Sequence, residues 1–187
     1  MKQKDEGVIH KLFALILLLW TVICWGILLS IMKAGYTGRF LEDCLMQANL
    51  SALIVDPYHY GSTGELIFEN LEEVKERFEN ALYKGLGTEE ARQKLGISEG
   101  VELVDFRIYE VTSQGTGEFI YDCHNNCSTV RYDRGQDVEA PDGTHIQNSA
   151  IYARIAVPVN FVFGVEVTAI KEHCVDIVSE DTGNEQK

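Results

Sequence analysis

Residues Leu12 to Met32 form an unbroken apolar run of 21 residues with no charged side chain. As a helix at about 1.5 Å per residue it spans roughly 32 Å, the thickness of a bilayer hydrocarbon core. A run of this kind has few places to go. A cleaved signal peptide has a shorter apolar stretch followed by a small-x-small site; here the run is followed by Lys33. A buried core helix usually keeps a polar face, and none shows over these positions. The run therefore reads as one membrane helix, with almost all of the remaining chain on its C-terminal side.

Charge sets the expected orientation. Lys2, Lys4 and Lys11 precede the run, and Lys33 and Arg39 follow it. Three basic residues against two favour a cytoplasmic N-terminus and an extracytoplasmic C-terminal domain. Beyond residue 33 the chain is strongly acidic, within a whole-chain net charge of −13. That balance lacks the clustered Lys and Arg that phosphate neutralisation requires, so a nucleic-acid partner is not expected. The lipid bilayer is the partner that the run itself implies.

After the run, Leu41, Leu45, Ala48 and Ala52 recur at helical spacing and predict an amphipathic continuation of the same helix, ended before Asp56-Pro57. Gly35 and Gly38 are expected to weaken the junction. Tyr58 to Gly64 is a turn-rich linker. A second helix is predicted over Asn70–Tyr83. Leu71, Val74, Phe78 and Leu82 form its apolar stripe, Glu72, Glu73, Lys75, Glu76 and Arg77 its solvated face, Asn70 its cap and Gly85 its C′ residue. Thr88–Leu95 reads as a short third helix ended by Gly96.

From Val101 the period becomes two, with Val104, Phe106 and Ile108 on one strand face. Gly115 and Gly117 mark a turn. Phe119–Cys123 and Cys127–Tyr132 read as a hairpin, and Pro141-Asp142-Gly143 is a turn signal. Ile151–Phe163 and Val165–Val178 are two more strands, with Pro158 demoting part of the first to an edge or a bulge. The expected class is α+β: a transmembrane helix continuing into an amphipathic helix packed on an antiparallel sheet of about four to five strands. The organisation is a leader at 1–11, the membrane helix at 12–32, its continuation at 33–57, an α+β domain at 58–178 and a disordered tail at 179–187.

Candidate chemistry is sparse. Cys123-His124-Asn125-Asn126-Cys127 places two cysteines around a three-residue turn. Facing strand positions lie within disulfide range, so a Cys123–Cys127 bridge is the favoured reading in an exported domain. Zinc is the sharper alternative, drawing on His124, His173 or Cys174, but only one half-site is present and no metal is expected. No nucleophile elbow and no phosphate-binding loop occur, so neither a catalytic residue nor a cofactor is assigned. Asn49-Leu50-Ser51 and Asn126-Cys127-Ser128 fit the glycosylation sequon. Gly26 and Ser30 are small residues four apart that could admit a second helix.

Lys4-Asp5-Glu6-Gly7 precedes the apolar helix. Asp105-Phe106-Arg107-Ile108-Tyr109-Glu110-Val111 follows in the domain, and Ala140-Pro141-Asp142-Gly143-Thr144 leads into Ser149-Ala150-Ile151-Tyr152-Ala153. In these segments and in its arrangement the chain resembles the TadE-type pilin-like minor components of tight-adherence (type IV-like) pilus systems. The resemblance implies a non-enzymatic, single-pass protein with an extracytoplasmic domain. Its implied partners are other pilin-like subunits or membrane proteins of the assembly machinery. Type IV prepilins carry a glutamate five residues after the processing glycine; counted from Gly7, that position here is Leu12. The alternative expectation is a membrane-tethered binding or sensor domain.

Overall fold

The computed structural model describes residues 2–53, 62, 67–68, 70–97, 100–122, 126–161 and 164–176. Most of the 58–64 linker, the 179–187 tail and residues Cys123, His124 and Asn125 lie outside them. Its main elements among these residues are, in chain order, α1 Lys2–Ala52, α2 Leu71–Leu86, α3 Glu89–Leu95, β1 Glu102–Thr112, β2 Gly115–Tyr121, β3 Cys127–Asp133, β4 Ala150–Asn160 and β5 Glu166–Asp176.

The strands form one antiparallel sheet in the order β3-β2-β1-β4-β5. The class is α+β, with helices on one face. That inner face is closed by the C-terminal half of α1 and by α2. Leu41, Leu45, Ala48 and Ala52 of α1 are fully buried, as their spacing requires. Phe78 of α2 meets Phe106 of β1 at a ring distance of 4.8 Å, and Phe106 meets Tyr121 of β2 at 5.9 Å. The helix runs unbroken through Gly35 and Gly38. The Lys171 stem passes Gly38 at 3.7 Å from the Cβ position, an ordinary contact distance.

The caps follow the sequence closely. Asn70 accepts hydrogen bonds from the Glu72 and Glu73 amides at 3.1 and 3.4 Å. Thr88 caps α3, and Gly96 ends it in the left-handed region at φ 70°. Two readings of α2 need correction. Gly85 is not its C′ residue: the helix continues to Leu86 and is capped at Gly87. Gly85 sits inside the helix because its bare face abuts α1, with the Cβ position only 3.3 Å from Cys44 Sγ. Lys75 is not solvated but buried, its ammonium 5.2 Å from the Tyr121 ring centroid and 3.6 Å from Glu79.

The strand phase also shifts once. Phe106 and Ile108 face the core, but Val104 is exposed. The β1–β4 register breaks between Leu103 and Asp105, a bulge that turns Val104 outward and gives its inward place to Leu103. Gly115 and Gly117 are not the β1–β2 turn; Ser113 and Gln114 are, and both glycines lie in β2. Gly115 opens that strand at φ 144°, where a side chain would strike the Tyr132 carbonyl. Pro158 lies in β4 beyond Ala156, where the pairing with β1 ends, so the N–H that proline lacks breaks no rung of the β1 ladder. The turn at Pro141-Asp142-Gly143 forms as read, with Gly143 N–H donating to the Ala140 carbonyl at 2.9 Å.

Candidate functional site

Two regions stand out. One is the first half of α1. Its apolar side chains are exposed along the whole run, with Leu15, Trp20 and Met32 each about two-thirds exposed. It is the one described helix long and apolar enough to cross a membrane. Within it, Ser30 donates its hydroxyl to the Gly26 carbonyl at 2.9 Å. The two candidate packing residues thus already share a bond along their own helix, which leaves no unpaired hydroxyl in an apolar setting.

The second region lies on the outer face of the sheet, away from the helices. Strand alternation places Asp105, Arg107 and Tyr109 of β1 on this face, with Glu118 of β2 directly opposite Tyr109. Glu118 is buried and accepts three hydrogen bonds: Arg107 and Tyr109 on Oε1, each at 3.0 Å, and Tyr132 of β3 on Oε2 at 2.7 Å. Arg107 also clasps Asp105 with Nε and Nη2 at 2.9 to 3.2 Å. Burial disfavours the guanidinium charge, but Asp105 and Glu118 outweigh it and raise its pKa. Tyr109 is held neutral well above its ordinary range, first by burial and then by the Glu118 charge. One strand further, Tyr152 donates to Glu172 at 2.7 Å and lies under the Arg107 guanidinium at 6.0 Å.

The connection between β3 and β4 crosses this face, and its Val138, Ala140 and Ile146 pack on Tyr109 and Tyr152. Both Glu118 oxygens are thus engaged by neighbouring strands beneath a covering loop. The arrangement ties β1, β2 and β3 together. The sequence marked Asp105–Val111 only as part of a resemblance. The signal for the cluster was the alternation of charged and aromatic residues along it, which becomes a site only once Glu118 is placed opposite.

The cysteines are scattered. Cys127 is a free, exposed thiol, and the residue across the ladder from it is Tyr121. The expected Cys123–Cys127 bridge is therefore not present at its described end; Cys123 lies outside the described residues. No zinc set forms from Cys127, His173 and Cys174, because β3 and β5 are the opposite edges of the sheet. At about 4.8 Å per strand they are roughly 19 Å apart. Cys174 is buried, and its thiol is pushed up to about 12, chiefly by burial and then by Asp142 and Asp176. Of the two sequons, Asn49 is fully buried and donates to the His173 carbonyl at 2.9 Å, whereas Asn126 is exposed.

These elements define an α+β protein with one long, apolar N-terminal helix and a five-stranded antiparallel sheet. Compared with known proteins, the chain matches no family model, no curated protein and no solved structure.

Proposed function

We propose that this chain is a single-pass, pilin-like membrane protein that works by assembling with similar subunits rather than by catalysis. The observation that carries the reading is the contrast along α1. Its first half exposes an uninterrupted apolar surface, and its second half supplies core side chains to the sheet. Lipid would cover the first half, and lateral contacts between such helices would build an assembly. Gly26 and Ser30 offer the closest approach for a second helix. The leader would stay in the cytoplasm and the sheet domain outside.

Affinity purification of the tagged, membrane-extracted protein tests this. Co-purification of pilus-assembly membrane proteins or pilin-like subunits is the expected result. Recovery of the chain alone, or with unrelated partners, would sink it.

A second reading, a membrane-tethered binding domain, is favoured by one feature. A depression of about 340 Å³ lies beside the β1–β2 turn, lined by Glu110, Thr116, Phe119, Arg131 and Tyr132 among others. That size falls in the range of small-molecule sites. A domain lacking the apolar run that remains monomeric and binds one defined ligand, with binding lost in Arg131→Ala, would favour this reading over the first.

A further inference from the structure

We infer that the junction of β4 and β5, at Phe161 and Val165, is a second membrane contact, resting in the headgroup and acyl boundary of the bilayer that α1 crosses. The inference rests on the membrane-crossing reading of α1. It comes from the way β5 is laid along the helix.

Three ties fix that alignment. Lys33 donates to the Asn160 carbonyl at the end of β4, and its ammonium lies 5.9 Å from the Phe161 ring centroid. Lys171 reaches Glu42 at 3.4 Å and passes Gly38. Asn49 donates to the His173 carbonyl. Residue numbers rise together on both elements, so β5 and α1 run the same way.

Depth follows from the rises. Val165 is six residues before Lys171, roughly 20 Å of strand, which equals about 13 residues of helix. Counted back from the Gly38–Glu42 level, this puts Val165 beside about residue 27. Counted from Asn49 and His173, it lies beside about residue 31. Both levels fall inside the charge-free run that ends at Met32. Val165 therefore lies at the level where α1 enters lipid.

The composition of the junction fits that place. Phe161 pairs with Val165 through a 2.7 Å backbone bond, and Gly164 makes the turn at φ 72°. Val165 and Val167 are about half exposed, on the helix side of the sheet by strand alternation. Glu166, between them, points to the other face. Lys33, beside Phe161, marks the polar edge of the run, where a lysine amine sits at the interface.

The test is photo-crosslinking of the full chain in phosphatidylcholine vesicles. p-Benzoylphenylalanine is introduced singly at Val165, at Ile16 in the apolar run and at Val130 on the far edge strand, and lipid adducts are read by mass spectrometry. Val165 should give lipid adducts in a yield comparable to Ile16 and about tenfold or more above Val130, since only groups in the acyl boundary meet lipid chains. Adducts at Ile16 with Val165 no higher than Val130 would overturn the inference while leaving the anchor intact. No adducts at Ile16 would remove the anchor and the inference with it. Chain-to-chain adducts from Val165 in place of lipid adducts would assign the junction to a second copy and also overturn the inference.

Discussion

Tyr109 and Glu118 stand directly opposite each other on β1 and β2, and the tyrosine hydroxyl donates to the buried carboxylate at 3.0 Å. Glu118 is the common acceptor for three donors from the two strands beside it, so its removal strands Arg107, Tyr109 and Tyr132 together. Glu118→Ala should cost about 2–4 kcal/mol of domain stability, whereas Tyr132→Phe, at the less buried end, should cost about 1 kcal/mol. Urea unfolding followed by circular dichroism checks both. Equal losses would show that Glu118 is not the hub.

The same cluster makes the fold sensitive to alkali. The Tyr109 and Tyr152 pKa values are both raised in the folded state, chiefly by burial. Their contribution is therefore fully present below the ordinary phenol pKa and is lost as pH rises above it. Stability should fall beyond pH of about 10, by up to about 1.4 kcal/mol per pH unit for each tyrosine. The Cys174 thiol, raised to about 12, adds a loss that begins near pH 9. Unfolding midpoints measured from pH 7 to 12 should decline on the alkaline side, and Tyr109→Phe should flatten part of that decline.

Gly85 and Cys44 are the close point between α2 and α1. Gly85→Leu forces a side chain into the Cys44 sulfur and should destabilise by about 1–3 kcal/mol. Cys44→Gly, introduced with it, should recover part of the loss. A double-mutant cycle reads the coupling; simple additivity would mean the two helices do not meet there.

Residues 34–52 should prove inseparable from the sheet. A chain beginning at Ala34 keeps Leu41, Leu45, Ala48 and Ala52 and should unfold cooperatively. A chain beginning at Ile54 loses all four and uncovers the inner face of β4 and β5. Each lost leucine alone is worth about 2–5 kcal/mol. Thermal unfolding of the two truncated chains separates the outcomes, with a sharp transition expected for the first only.

Thiol reactivity gives a further check on burial. Cys127 is exposed, while Cys44 and Cys174 are buried with raised pKa values, burial being the main cause for each. Alkylation of the folded, unreduced domain at pH 8 should modify Cys127 and spare the other two. Protection of Cys127 that is relieved by a reductant would instead reveal a disulfide.

Much of this architecture is written in local patterns. The Leu41–Ala52 stripe, the Asn70 and Thr88 caps, the Gly96 stop and the Pro141–Gly143 turn each depend on residues within a few positions of one another. Their physics is visible in a short window. The misread positions depend on partners far away in the chain. Val104 alternates correctly with Phe106 and Ile108 on paper, and only the pairing with β4 reveals the bulge. Gly85 and Lys75 take their places from Cys44 and Tyr121, on elements that sequence alone does not bring together. The Glu118 cluster is of the same kind: its members come from three strands, and register decides which carboxylate meets which hydroxyl. The partner of Cys127 is likewise a matter of register, which sets Tyr121 across from it.

Lys33, the first charged residue after the apolar run, is bonded to the sheet through the Asn160 carbonyl. Little more than two helical turns separate it from Leu41, where α1 is already sealed in the core. A domain joined in this way has no slack. Rotation or tilt of the helix is passed to all five strands as one movement. A pull along the helix has no flexible tether to stretch, and must shear α1 past β5 before anything yields.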